Sequence, residues 1–154
     1  MIVGAGGHGA AVAEALNASG AFVQAFVDPN RRVERTRLGI PIQSEAPSEH
    51  IERGNPIAIA IGDNSQRERV SRSLYERGAT ARNFPAICHP SASVSTLASL
   101  REGAVILQGA SVGPGSVIGR FCVVATAAVV ARDGRMADFS FVSANTVLGA
   151  SLLG

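Results

Sequence analysis

The sequence predicts a Rossmann-like α/β N-terminal domain followed by an all-β parallel solenoid, and three observations predict it. A glycine-rich turn stands between a strand stump and a helix near the start. Apolar runs and polar helical stretches then alternate, the pattern of a small parallel sheet with helical crossovers. From Val94 onward an aliphatic residue recurs at every sixth position. Six is a multiple of the strand period and not a helical period. The change of pattern sets the domains at 1–86 and 87–154.

The first half begins with Met1-Ile2-Val3 as a strand. The turn Gly4-Ala5-Gly6-Gly7-His8-Gly9 follows, and Ala10 to Leu16 reads as helix, with Asn17 and Gly20 marking its end. Ala21 to Val27 is a β-rich run that stops at Asp28-Pro29-Asn30. A third apolar run, Ile57 to Ile61, closes on Gly62-Asp63-Asn64. Residues 65–77 form a polar helix whose expected buried stripe is Val70, Leu74 and Tyr75.

Gly4, Gly6 and Gly9 fit G-x-G-x-x-G in its expected setting, after a strand and opening a helix. Free N–H groups at a helix start favour an anion, and glycines let the backbone approach a phosphate. Asp28 ends the second strand, where an acidic residue often meets a ribose. The alternative is a tight strand-to-helix turn and nothing more. His8 is placed to donate to a phosphate or a sugar hydroxyl; the alternative is a surface histidine. His50 is read as uninvolved and His89, in Cys88-His89-Pro90, as structural.

The hexad register runs through Val94, Leu100, Ile106, Val112, Ile118, Val124, Val130, Met136, Val142 and Leu148. Two places before each stands a small residue, from Ala92, Ala98 and Ala104 to Ser140 and Thr146. Large aliphatic residues stacked on their equivalents, with a small residue near each corner, describe a narrow β-solenoid. Function is then to be sought at corners and edges rather than in the core columns.

Composition narrows the classes. The chain of 154 residues is 46% hydrophobic but only 5% aromatic, so its core is built from small and aliphatic side chains. A net charge of +2 does not point to nucleic acid. The basic cluster Arg31, Arg32, Arg35 and Arg37 is interrupted by Glu34 and reads as a solvated loop. Cys88 and Cys122 are too few and too far apart for a disulfide framework or a zinc site, so no metal is expected. Met1 runs straight into the glycine turn without a signal-peptide leader, and the longest apolar stretch, Phe121 to Ala131, is too short to span a bilayer. A cytoplasmic protein is expected.

Together these motifs resemble the hexapeptide-repeat sugar acyltransferases that acetylate nucleotide-linked amino sugars, or sialic acid, in bacterial glycan pathways. The resemblance is carried by Gly4 to Gly9, Phe26-Val27-Asp28, Ala60-Ile61-Gly62-Asp63-Asn64 with Arg67, and Ile87-Cys88-His89-Pro90-Ser91-Ala92. It implies a left-handed β-helix, a homotrimer, and acetyl-CoA bound between neighbouring β-helices. It also implies that Gly6, Gly7, His8, Asp28, Pro29 and Gly62 surround a nucleotide-sugar acceptor.

In that family a histidine takes a proton from the acceptor as it attacks the thioester, and a following acid tunes it. Here Arg132 stands where the histidine is expected and Asp133 where its partner is expected. A guanidinium stays protonated at any relevant pH and cannot be the base. Phe141 occupies another position that is commonly histidine and lies near CoA. The hexads from Val94 to Leu148 make roughly three coils, fewer than the family normally has. The β-helix is therefore expected to be incomplete, with an open coil edge.

Three functional readings stand. The first is an acetyl-CoA-dependent acetyltransferase with Asp133 as substitute base. The second is a non-catalytic relative that binds a nucleotide sugar or assembles as a trimer. The third is a NAD-dependent enzyme, disfavoured because the solenoid occupies the place of a second sheet half and a catalytic domain.

Overall fold

The computed structural model describes residues 1–30 and 38–149. The chain divides into two compact units, Met1–Pro85 and Ala86–Gly154. The arginine cluster Arg31, Arg32, Arg35 and Arg37, and the expected edge at Gly154, lie outside the described residues.

The first unit is a parallel sheet with helices. Its elements run β1 (Ile2–Val3), α1 (Gly7–Ala18), β2 (Phe26–Val27), β3 (Ile42–Gln43), α2 (Ser48–Glu52), β4 (Ala58–Ile59) and α3 (Asn64–Glu76). The strand order is β3-β2-β1-β4 and every pairing is parallel. Chain direction across the sheet therefore reverses between β1 and β4. In an open α/β sheet the crevice at that reversal, beyond the carboxyl ends of the strands, is where ligands bind.

Three elements depart from the sequence reading. Helix α1 starts at Gly7, inside the glycine turn, because Gly6 takes the N-cap position with extended backbone. His8 and Gly9 are thus residues of the first helical turn. The expected strand 21–27 shrinks to Phe26–Val27, with Val23 and Ala25 buried as irregular backbone. The buried stripe of α3 is Arg67, Ser71 and Leu74, while Val70 and Tyr75 are only half-buried.

The second unit is a left-handed parallel β-helix of two-residue strands in three sheets. One sheet stacks Ile87–Cys88, Val105–Ile106, Val123–Val124 and Phe141–Val142. Another stacks Ser93–Val94, Ser111–Val112, Val129–Val130 and Val147–Leu148. The third stacks Ser99–Leu100, Val117–Ile118 and Arg135–Met136. Each residue pairs with the one three hexads away, so one coil is three hexads. Val112, Val130 and Leu148 lie in register, as the period requires. The first strand is Ile87–Cys88, one hexad ahead of Ser93–Val94.

The small residues of the second register close the corners. The N–H of Ala98, Ala104, Ala110, Ala128 and Gly134 each donates to the carbonyl three residues earlier. From residue 103 onward the third residue of each such turn takes positive φ, as a type II turn requires. Gly103, Gly109 and Gly115 supply it first; Phe121, Ala127, Asp133, Phe139 and Asn145 follow, with φ of 53 to 62°. A side chain in this region costs about 1–2 kcal/mol. Phe121 and Phe139 offset that by stacking, with ring centroids 5.4 Å apart and planes 6° from parallel. Ala127 has no such compensation from its methyl group.

Two stability outcomes are expected. Ala127→Gly relieves the corner and should stabilise by about 0.5–1 kcal/mol, or roughly 1–4 °C in thermal midpoint. Ile118→Ala empties a fully buried core position and should destabilise by about 2–5 kcal/mol. Calorimetric melting of both variants checks them.

Candidate functional site

Two regions carry the residues singled out from sequence. The first lies at the reversal between β1 and β4. Gly4 has φ of 103°, and a Cβ there would sit 2.5 Å from the Ala60 carbonyl oxygen. A Cβ on Gly9 would sit 2.1 Å from the Gly4 carbonyl oxygen and 3.2 Å from the Phe26 ring. Both glycines are required by close approach of backbone. Gly6, Gly7 and Gly62 differ: nothing lies within 4 Å of a Cβ built on any of them. Their bareness leaves open space in front of the α1 N-terminus and the loop after β4.

Asp28 ties this loop together. Its Oδ2 accepts from the Ala5 N–H at 3.3 Å and its Oδ1 from the Asn30 N–H at 3.0 Å. Pro29 is exposed in the turn that follows. Beyond β4, Asp63 caps α3 by accepting from the Gln66 N–H at 2.7 Å. Arg67, one turn into α3, is 1% exposed. Its Nη1 donates to the Ile61 carbonyl at 2.6 Å and the Gly62 carbonyl at 3.1 Å, and its Nη2 to Asn64 Oδ1 at 2.7 Å.

His8 is half-buried, and its pKa falls from 6.5 to about 4. Burial is the larger cause and the Arg67 charge the second. The ring is therefore neutral at pH 7, able both to donate and to accept a hydrogen bond. Sequence reasoning recovered the glycines, His8 and Asp28. Arg67 counts in the motif after the third apolar run, but the sequence reading assigns it no role in the site and leaves it out of the expected buried stripe of α3. The signal available was the i, i+4, i+7 spacing of Arg67, Ser71 and Leu74.

The second region is the corner Ala131–Gly134. Arg132 is its exposed second residue and Asp133 its third, with φ of 58°. The Asp133 N–H donates to the Pro114 carbonyl at 2.9 Å, and a Cβ on Gly115 would sit 2.3 Å from Asp133 Oδ1. The carboxylate thus overlies the glycine of the preceding coil. Phe141 is not on this corner: it opens a strand beyond the next one and pairs with Val123. A different corner carries the ladder Glu102, Arg120 and Asp138. Arg120 Nε lies 2.8 Å from Asp138 Oδ2, and Arg120 Nη1 lies 3.8 Å from Glu102 Oε1. Hydrogen bonds from the Arg120 backbone and side chain hold the Asp138 carboxyl below the usual carboxylate range.

The remaining histidines are structural in their contacts. His89 Nδ1 accepts from the Ser91 N–H at 3.0 Å and pairs with Ser91 Oγ at 2.7 Å. His50 Nε2 meets the Pro56 carbonyl at 3.2 Å. Among the described residues neither Cys88 nor Cys122 is in a disulfide, and the Cys122 thiol donates to the Ala137 carbonyl at 2.9 Å.

The family described as PglD N-terminal domain matches residues 1–74. Among solved structures, the chain is similar to a histidine-to-alanine mutant of GDP-perosamine N-acetyl transferase from Caulobacter crescentus, in complex with CoA and GDP-perosamine. The identity is 32%, over 95% of this chain and 69% of that one, with a TM-score of 0.82. The chain belongs to the hexapeptide-repeat nucleotide-sugar acetyltransferase family. A second member of the family is the acetyltransferase domain of PglB from Neisseria gonorrhoeae FA1090, in complex with acetyl coenzyme A. It is 29% identical over 96% of this chain and 71% of that one, with a TM-score of 0.82. No curated protein matches the sequence. Among the described residues, no helix is long and apolar enough to cross a membrane.

The His8 shift has a consequence for stability. The unfolded chain takes up the His8 proton near pH 6.5 and the folded chain near 4. The unfolded state binds more protons between these values, so stability rises with pH across the window. The contribution is whole above pH 6.5 and is lost as pH falls toward 4. Melting curves from pH 7 to 4 should show a steeper loss for the native protein than for His8→Asn. Parallel curves would show that His8 is not held neutral.

Proposed function

We propose that this protein is an acetyl-CoA-dependent acetyltransferase acting on a nucleotide-linked amino sugar or a sialic acid. The acceptor nucleotide is bound by the first unit, and acyl transfer is weakened by the loss of the corner histidine. One observation carries the reading. The open glycine backbone at Gly6, Gly7 and Gly62 coincides with the β1–β4 reversal, in a chain whose relatives bind CoA and GDP-perosamine.

In this reading the N–H groups at the start of α1 face the diphosphate. His8 offers a neutral ring to it or to the sugar, Asp28 and Pro29 line the nucleoside end, and Gly62 leaves room for the ligand. At the corner, the acceptor nitrogen or oxygen attacks the thioester carbonyl, its proton leaves to a base, and CoA thiolate departs. Arg132 cannot take that proton. Asp133 is the neighbouring group able to accept it, and Phe141 is assigned to the CoA side. The reading includes a homotrimer. It also includes a cytoplasmic setting, in which thiols such as Cys88 and Cys122 remain reduced.

A second reading is favoured by the exposed guanidinium of Arg132 at the base position. On it, the protein keeps nucleotide-sugar binding and gives up turnover. Thiol release from acetyl-CoA separates the two. Loss of a positioned base removes about 10²–10⁴-fold in rate. Acceptor-dependent release is therefore expected well below that of a histidine-bearing relative, raised at least about tenfold by Arg132→His and abolished by Asp133→Asn. Saturable binding of a UDP- or GDP-linked amino sugar, with no release even in Arg132→His, would establish the second reading instead. Size measurement in solution tests the trimer.

A further inference from the structure

We propose that Arg67 is the positioning residue of the first-unit site: from beneath the loop after β4 it fixes the Ile61-Gly62-Asp63 backbone against which the acceptor is held. The proposal deepens the nucleotide-binding reading above and rests on it.

A buried guanidinium is costly unless its donors are met. Here the guanidinium donates to the Ile61 and Gly62 carbonyls and to Asn64 Oδ1, three acceptors within one short stretch of chain. Only a planar fork reaches three acceptors in this arrangement; a lysine has a single nitrogen with which to meet them. The consequence follows from peptide planarity. In a trans peptide the carbonyl and the next N–H point in opposite directions. With the Ile61 and Gly62 carbonyls turned to the guanidinium, the N–H groups of Gly62 and Asp63 are turned away from it. The Gly62 Cα meets open space where a Cβ would stand. Arg67 therefore sets two backbone donors beside a bare glycine at the reversal of the sheet. Its charge also acts on the His8 ring, from the first turn of α1. One buried side chain thus couples the two loops that flank the crevice, and leaves a positive field suited to a nucleoside diphosphate.

Two variants separate the clamp from the charge. Arg67→Lys keeps the charge and loses the fork; Arg67→Gln loses both. Three readouts are taken on the full chain: amide resonances of Gly62 and Asp63, the His8 titration midpoint by NMR, and calorimetric affinity for UDP and for GDP. With lysine, the His8 midpoint should stay near 4, the two amides should shift, and affinity should fall about tenfold. With glutamine, the His8 midpoint should also rise and affinity should fall further.

Should Arg67→Gln fail to fold, Arg67→Lys decides alone. Unchanged amides, midpoint and affinity in the variants, with only a lower melting temperature, would overturn the proposal and leave Arg67 as packing. A native protein that binds neither UDP nor GDP would sink the nucleotide reading. The amides and the His8 midpoint would then still judge the clamp by themselves.

Discussion

Every coil of the second unit is held to the next by side chains stacked on their counterparts three hexads away. Val112, Val130 and Leu148 form such a column, and Ile106, Val124 and Val142 another. The columns leave no freedom in the strands, which are two residues long, and they fix where each corner falls. A corner must turn the chain within four residues, and from residue 103 onward its third position takes positive φ whatever residue stands there. Glycine fills the early corners and larger residues the later ones. The frame thus tolerates Phe121 or Asp133 in a strained conformation because the surrounding stack over-determines it.

The same constraint explains how a family member can carry Arg132 at a position where the resemblance leads one to expect histidine. The second residue of a corner points away from the core columns and is exposed, so its identity is decoupled from folding. A substitution there changes the chemistry at the corner and leaves the frame intact. The first unit is constrained differently. Gly4 and Gly9 are held by backbone contacts and admit no side chain, while Gly6, Gly7 and Gly62 face open space. The glycines that the backbone contacts require and those that they do not are thus separable, residue by residue.

Much of the solenoid was legible in the sequence because its period is strict and unbroken from Val94 to Leu148. The first unit was legible in outline only. The glycine turn gave the reversal point, but Gly6 as N-cap carried α1 back over His8, which propensity reading from Ala10 onward could not anticipate. The run from Ala21 to Val27 has the composition of a strand, yet only Phe26 and Val27 pair with β1, since β1 is itself two residues long, Ile2–Val3. Arg67 belongs to a motif that carries the resemblance, but its burial was not legible, for a general reason. An arginine on a polar helix is ordinarily solvated, and its burial depends on the carbonyls of Ile61 and Gly62, which a one-dimensional reading does not bring near it.

Coil register is what fixes the corner at Arg132 and Asp133, so it is the quantity to measure. Scalar couplings across hydrogen bonds report it directly, by linking an amide nitrogen to the carbonyl carbon that accepts from it. Couplings are expected from the Gly113 nitrogen to the Val130 carbonyl and from the Ala131 nitrogen to the Leu148 carbonyl. Couplings displaced from those partners by even one residue would turn the aliphatic columns outward and contradict the β-helix on which the corner assignment stands.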